Sequence, residues 1–327
     1  MRLALTGASA GLAIGYVLQR GQLCFHATFA GLYERRLGLF RAWALGVALA
    51  AAGLTLVYGL GPWDDLNRGL SLRPVPNLVG GLLIGVGMHI AMSCASGLFY
   101  KLGAGMLGCL VGLVGWALGE LAARDVRLPG REPVLRGEDG TLPGWLGAPR
   151  WLLALPLAVV VVVVLVRTSR GERGPGRAWQ WGWVPTGVVL GLATTAAWAL
   201  AGAGGASFGP STVGAVTSLA DGDPHWWLIA FLLAVVAGSS VAARTAGGWW
   251  VRGEAPVRYV QLAAGGFLLG AGGRIGGGCN LGHGLSGMAQ LNLSSMVAVG
   301  GIVAGIGLAR TLRHVVTRRV PVPAELA

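Results

Sequence analysis

Apolar runs of about 17–25 residues recur along the whole chain, the length one helix needs to cross the hydrocarbon of a bilayer with every backbone group bonded internally. Nine are present, roughly at 3–19, 40–60, 77–93, 104–122, 151–166, 183–201, 226–243, 258–273 and 294–311. A content of 54% hydrophobic and 12% charged residues excludes an ordinary soluble domain. The fold class is therefore an all-α polytopic membrane protein with about nine transmembrane helices. The first run lacks a basic leading segment and an A-x-A-like site, so no cleavable signal peptide is expected.

Between some runs lie stretches too apolar for water and too rich in Gly, Ser, Thr or Pro for a full crossing, at 21–33, 94–101, 207–219 and 279–290. They read as four re-entrant half-helices. Irregular backbone is tolerated at membrane depth only where protein or a polar cavity covers it, so they imply an internal path. Close helix packing through small residues is the competing explanation for much of the glycine, of which the chain has 58.

A shift of 185 positions lays NLVGGLLIGVGMHIAMSCASG, from Asn77, over LAAGGFLLGAGGRIGGGCNLG, from Leu262, with Cys94 opposite Cys279. The same shift puts Cys24 opposite Gly209, so the repeat is kept in fold and broken in chemistry. Four runs precede the run at 151–166 and four follow it, which predicts an inverted-topology internal repeat. The expected parts are a first half at 1–123, linker loops and a linker span at 124–182, a second, inverted half at 183–311 and a tail at 312–327.

Basic residues set the expected orientation. Arg20, Arg35, Arg36, Arg41, Lys101, Arg167, Arg170, Arg173, Arg177, Arg244, Arg252, Arg258, Arg310, Arg313, Arg318 and Arg319 flank alternate run ends and make 16 of the 25 Lys and Arg. That places the C-terminus in the cytoplasm and the N-terminus outside, in the inner membrane of the cell. The same bias accounts for most of the net charge of +12 without nucleic acid. Arg274, five residues before Cys279, has two readings: attraction of an anion at membrane depth, or a helix-end Arg snorkelling to the interface.

Three cysteines carry the chemical signal: Cys24 in GQLCFHATF, Cys94 in MSCASGLFYKLG and Cys279 in GGRIGGGCNLGHGLSGM. Each adjoins a helix break where a side chain can face a pathway, whereas Cys109 sits in a regular apolar run and reads as a small hydrophobe. Disulfide pairing fits singletons on separate segments poorly. Soft-metal binding draws on His26, His89 and His283, but no C-x-x-C, Met-rich motif or neighbouring carboxylate accompanies them, and no cofactor or metal site is expected. His225 and His314 lie at run ends. Ser207, Ser211, Thr212 and Thr28 are candidate extra donors, with local bonding to helix carbonyls as the alternative.

Segments 20–29, 80–103 and 265–288 resemble the motifs of the YeeE/YedE family, membrane proteins whose characterised members import thiosulfate, and GGRIGGGCNLGHGLSG is the most specific part. The resemblance implies three functional cysteines, which fall by motif on Cys24, Cys94 and Cys279. It implies thiosulfate or a related sulfur anion as substrate, and a cytoplasmic sulfurtransferase or sulfur carrier as partner. The expected pathway residues are these cysteines with His283, Arg274, Ser211 and Thr212. Neutral thiols can donate weak S–H hydrogen bonds to a polarisable anion at successive depths, with backbone N–H groups at broken helix ends holding its oxygens. The competing classes are a membrane sulfurtransferase forming a Cys persulfide, a soft-metal transporter and a purely structural membrane subunit. No G-x-x-x-x-G-K-[ST] occurs, so no ATP site is expected.

Overall fold

A backbone shielded from water must bond to itself, which is why long apolar runs become helices. In a computed structural model, which describes residues 1–63, 65–169 and 179–319 and side chains up to 315, each of the nine runs lies largely within a helix. In chain order the helices are α1 (Arg2–Gly21), α2 (Phe25–Glu34), α3 (Gly38–Leu60), α4 (Pro74–Ala91), α5 (Ala95–Gly103), α6 (Gly108–Ala122), α7 (Leu142–Trp145), α8 (Arg150–Thr168), α9 (Trp183–Gly204), α10 (Ala215–Ala220), α11 (Trp226–Thr245), α12 (Pro256–Gly276) and α13 (Leu293–Arg319). A 3₁₀ turn at Gly137–Gly140 and a π-helical turn at Gly282–Gly287 complete them. Among the described residues no strand forms beyond isolated bridges.

Six described segments are long and apolar enough to cross a membrane: Gly38–Leu60, Pro74–Gly103, Arg150–Thr168, Trp183–Gly204, Trp226–Thr245 and Leu293–Val315. The chain is therefore a multi-pass membrane protein. Helices α1 and α12 have 20 and 21 residues but dilute their apolar content with Gly, Gln and Arg, and α6 is a shorter apolar helix of 15. Helix α8 packs on α3 and turns Val159, Val160, Val164 and Val166 outward, as a helix bathed in lipid does.

The packed pairs are α1 with α11 and α9, α3 with α9, α4 with α12 and α13, and α6 with α12. Small residues permit this closeness: Gly7, Gly11 and Gly15 make a stripe on α1 where a Cβ would overlap the carbonyls of Trp227, Phe231 and Val235 on α11. Close packing thus explains many of the glycines. Helices α4 and α12 run antiparallel. Asn77 Nδ2 donates to Gly276 O at 2.7 Å near one end, and the Arg258 guanidinium donates to Ile90 O and Ala91 O near the other. The two ends are called here the Arg274 end and the Lys101 end.

The 124–150 segment folds back over the Arg274 end. Leu135 bridges to Leu72, Thr141 to Asn292, and Arg150 donates to Gln290 O and Arg68 O at 3.0 Å each. Residues 312–319 of the expected tail continue α13. Residues 170–178, with Arg170, Arg173 and Arg177, and residues 320–327 lie outside the described residues.

Candidate functional site

One local design recurs three times. A helix ends on a left-handed residue, one residue follows, and then comes the cysteine. Gln22 (φ 49°) precedes Cys24, Met92 (φ 45°) precedes Cys94, and Gly277 (φ 76°) precedes Cys279. A left-handed conformation at the non-glycine residues costs about 1–2 kcal/mol, so the two sharp breaks are held by the surrounding packing. Cys24 and Cys94 then occupy the N-caps of α2 and α5, and Cys279 lies just before the π-helical turn. Each sulfur sits at a break and not along a continuous helix.

The breaks converge inside the bundle. Cys24 Sγ and Cys94 Sγ are 3.7 Å apart, both buried. Cys94 Sγ accepts from Gly97 N at 3.2 Å and lies 3.4 Å from Ser96 Oγ. Cys279 Sγ accepts from Leu281 N and Gly282 N at 3.2 and 3.3 Å. Asn280 joins two of the breaks, since its Oδ1 accepts from Ala95 N at 3.2 Å and its Nδ2 donates to Ser96 Oγ at 3.0 Å. The residues following Cys94 and Cys279 are thereby locked together. All four cysteines are free, and Cys109 sits apart at the start of α6.

The other expected residues are spread over several places. Ser211 lies beside the Cys279 turn, its Oγ 3.2 Å from where a Cβ on Gly282 would stand, and Thr212 is wholly buried with Oγ1 unpartnered. His283 is tied into the scaffold: Nε2 donates to Gly276 O and Nδ1 meets Ser295 Oγ, both at 2.9 Å. Because a carbonyl only accepts, Nε2 carries a proton and Nδ1 of the neutral ring accepts the Ser295 hydroxyl. Thr28 donates to Cys24 O at 3.0 Å, the local bonding weighed for it, and Ser207 is exposed. Arg274 is exposed and lines a cavity of about 100 Å³ with Arg73, Arg124 and Arg131. It stands exposed in the last turn of α12 and is not buried in the bundle.

At the opposite end a cavity of about 240 Å³ is lined by Gln19, Gln22, Tyr100, Lys101 and Arg252. Lys101 Nζ donates to Met92 O at 3.2 Å and Ser93 Oγ at 3.1 Å, which places an ammonium beside the break that presents Cys94. Sequence reasoning counted Lys101 only as a flanking charge and passed over Asn280. It also missed Glu120, a lone acid in the 104–122 run, which alone was a signal. Its Oε1 accepts from Gly214 N at 2.9 Å and from Thr217 N and Oγ1 at 3.3 and 3.1 Å, pinning the start of α10. Among the described residues no cluster of three or more His, Cys, Asp or Glu is placed to hold a metal ion.

Buried thiols at helix breaks, inside a bundle of long apolar helices, suit a membrane transport protein. The chain belongs to the sulphur transport family, whose model matches residues 20–308. Thiosulfate transporter TsuA of Spirochaeta thermophila is 29% identical over 315 residues, covering 90% of this chain and 94% of that protein. Thiosulfate transporter TsuA of Escherichia coli K12 is 25% identical over 348 residues, covering 96% of each. Both relatives are named as transporters.

Proposed function

We propose that this chain imports thiosulfate or a closely related soft sulfur anion along a path of cysteine thiols. The observation that carries the reading is the 3.7 Å approach of Cys24 and Cys94 at two helix breaks, with Cys279 presented by a third break and joined to them through Asn280. An anion gathers at the Arg73, Arg124, Arg131 and Arg274 mouth, passes Cys279 with Ser211 and Thr212 beside it, reaches Cys94 and Cys24, and leaves past Lys101. Neutral S–H groups donate weakly to a large polarisable sulfur, and N–H groups at the break hold the oxygens. Weak successive contacts let the anion move on, as any conducting path requires. His283 acts on this path by holding the Cys279 turn in place.

We read the fold as nine spans and four re-entrant segments in two inverted halves, 1–123 and 183–311, with a linker between and a tail after. The packing supports this: under the 185-residue shift α1, α3, α4 and α6 correspond to α9, α11, α12 and α13, and the pairs α1–α11 and α6–α12 become α9–α3 and α13–α4. Lys101, Arg252, Arg258 and Arg310 gather at the Lys101 end, which favours that end, and the C-terminus, as cytoplasmic in the inner membrane. A cytoplasmic sulfurtransferase or sulfur carrier is the partner that consumes the product. Such a sink favours import, because a dianion meets about 4.6 kcal/mol of opposition per 100 mV of inside-negative potential.

The test is uptake of labelled thiosulfate, with sulfate in parallel, by cells lacking other sulfur importers. Uptake lost in Cys94→Ala and Cys279→Ala but kept in Cys109→Ala is the expected result. No thiosulfate-specific uptake by well-expressed, membrane-inserted protein refutes the assignment.

A further inference from the structure

The thiol path uses Cys24 but not the imidazole two residues beyond it. His26 on α2 and His89 in the last turn of α4 have ring centroids 5.9 Å apart. His26 Nε2 and both ring nitrogens of His89 are buried with no hydrogen-bonding partner in the protein. Both nitrogens of His283 are bonded, whereas these two neighbouring rings carry three unbonded nitrogens and so keep lone pairs open to a proton.

The surroundings are cationic. The Cys24 thiol stands at the N-cap of α2, Glu34 from α2 and Lys101 from α5 act on His26, and Arg310, Arg313 and His314 from α13 act on His89. Glu34 is itself bonded by Arg310 at 3.0 Å and lies 3.7 Å from Arg36. From α3, Arg41 sends its guanidinium to Thr168 O at 2.7 Å. Two protonated rings here repel each other and these cations, and only a nearby anion offsets that repulsion. Proton binding and anion binding are then linked by one reciprocal coupling free energy.

Resting on the reading that the cargo is a divalent sulfur anion, we propose that His26 and His89 form the proton site of a symporter. Each ring takes one proton while the anion lies at Cys24 and Cys94, and both protons leave with it on the cytoplasmic side. A proton adds to the lone pair of a free ring nitrogen and later returns to water, and no bond within the anion changes. The stoichiometry cancels the charge of a dianion, so the membrane potential no longer opposes uptake.

The experiment uses the full chain in proteoliposomes that hold a pH-sensitive dye, with the potential clamped and labelled thiosulfate supplied outside. The expected result is lumen acidification by about two protons per anion, falling to about one in His26→Gln or His89→Gln and to about zero in the double variant, as one proton per ring requires. An external acid pulse should raise accumulation at least about tenfold in the wild type and not in the double variant, as linked binding demands. Thiosulfate uptake without acidification, or an unchanged ratio in the variants, overturns the proposal. Absence of both uptake and thiosulfate exchange in the wild type instead refutes the substrate assignment, and the symport with it. The ratio is read per anion, so a slow variant still reports, and the wild-type ratio decides alone if a variant fails to fold.

Discussion

Replacing Gly97 with Ala tests the thiol pair most directly. A Cβ on residue 97 would stand 2.6 Å from Ser93 Oγ, 3.1 Å from Cys94 Sγ and 3.4 Å from Cys24 Sγ. Ser93 would have to swing away, releasing Lys101 Nζ from its 3.1 Å bond, a loss of about 0.5–1.5 kcal/mol. Overpacking against two sulfurs adds about 1–3 kcal/mol. The better helix propensity of Ala returns about 0.5–1 kcal/mol. The net strain of about 0.5–4 kcal/mol falls on the gap between the sulfurs, and at about 1.4 kcal/mol per tenfold it corresponds to roughly 2- to 700-fold slower uptake at low thiosulfate. The assay is initial-rate uptake normalised to membrane-inserted protein, with Gly300→Ala as control because a Cβ there meets nothing within 4 Å. Wild-type uptake by the Gly97→Ala protein would show that the Cys24–Cys94 gap is not on the path.

Two further outcomes follow from the same geometry. Asn280→Ala removes both bonds that join the breaks and strands the buried Ala95 N–H, so unfolding of the purified protein should come about 2–4 kcal/mol earlier, and an unchanged thermal midpoint would show the junction to be dispensable. Arg274→Gln takes one charge from an exposed mouth, so it should slow uptake several-fold at low salt and hardly at all at high salt; a salt-independent loss would place Arg274 in the pathway itself.

Much of the site was legible because it depends on local order. The motif around Cys279 and the match of Cys94 to Cys279 singled out the thiols, and Gly-rich breaks announced irregular backbone. Asn280 was not legible, since its partners Ala95 and Ser96 lie 185 and 184 residues away. Lys101 read as a flanking charge because nothing local shows its ammonium turning back to Met92 O and Ser93. His283 drew notice for standing near Cys279, yet both its nitrogens serve the scaffold. Arg274 had two readings from sequence, and the structure shows it exposed in the last turn of α12 beside Arg73, Arg124 and Arg131.

By itself the order of residues determined the membrane class, the helices and the family, and it marked out the three candidate thiols. These follow from hydropathy over about 20 residues and from motifs of a dozen, both properties of contiguous chain. Only the tertiary structure decided which thiols touch, which imidazole is bonded and which is bare, and where the cations stand. Those depend on the packing of helices far apart in sequence, and the same residue type becomes a scaffold bond or an unbonded ring according to what the partner helix sets against it.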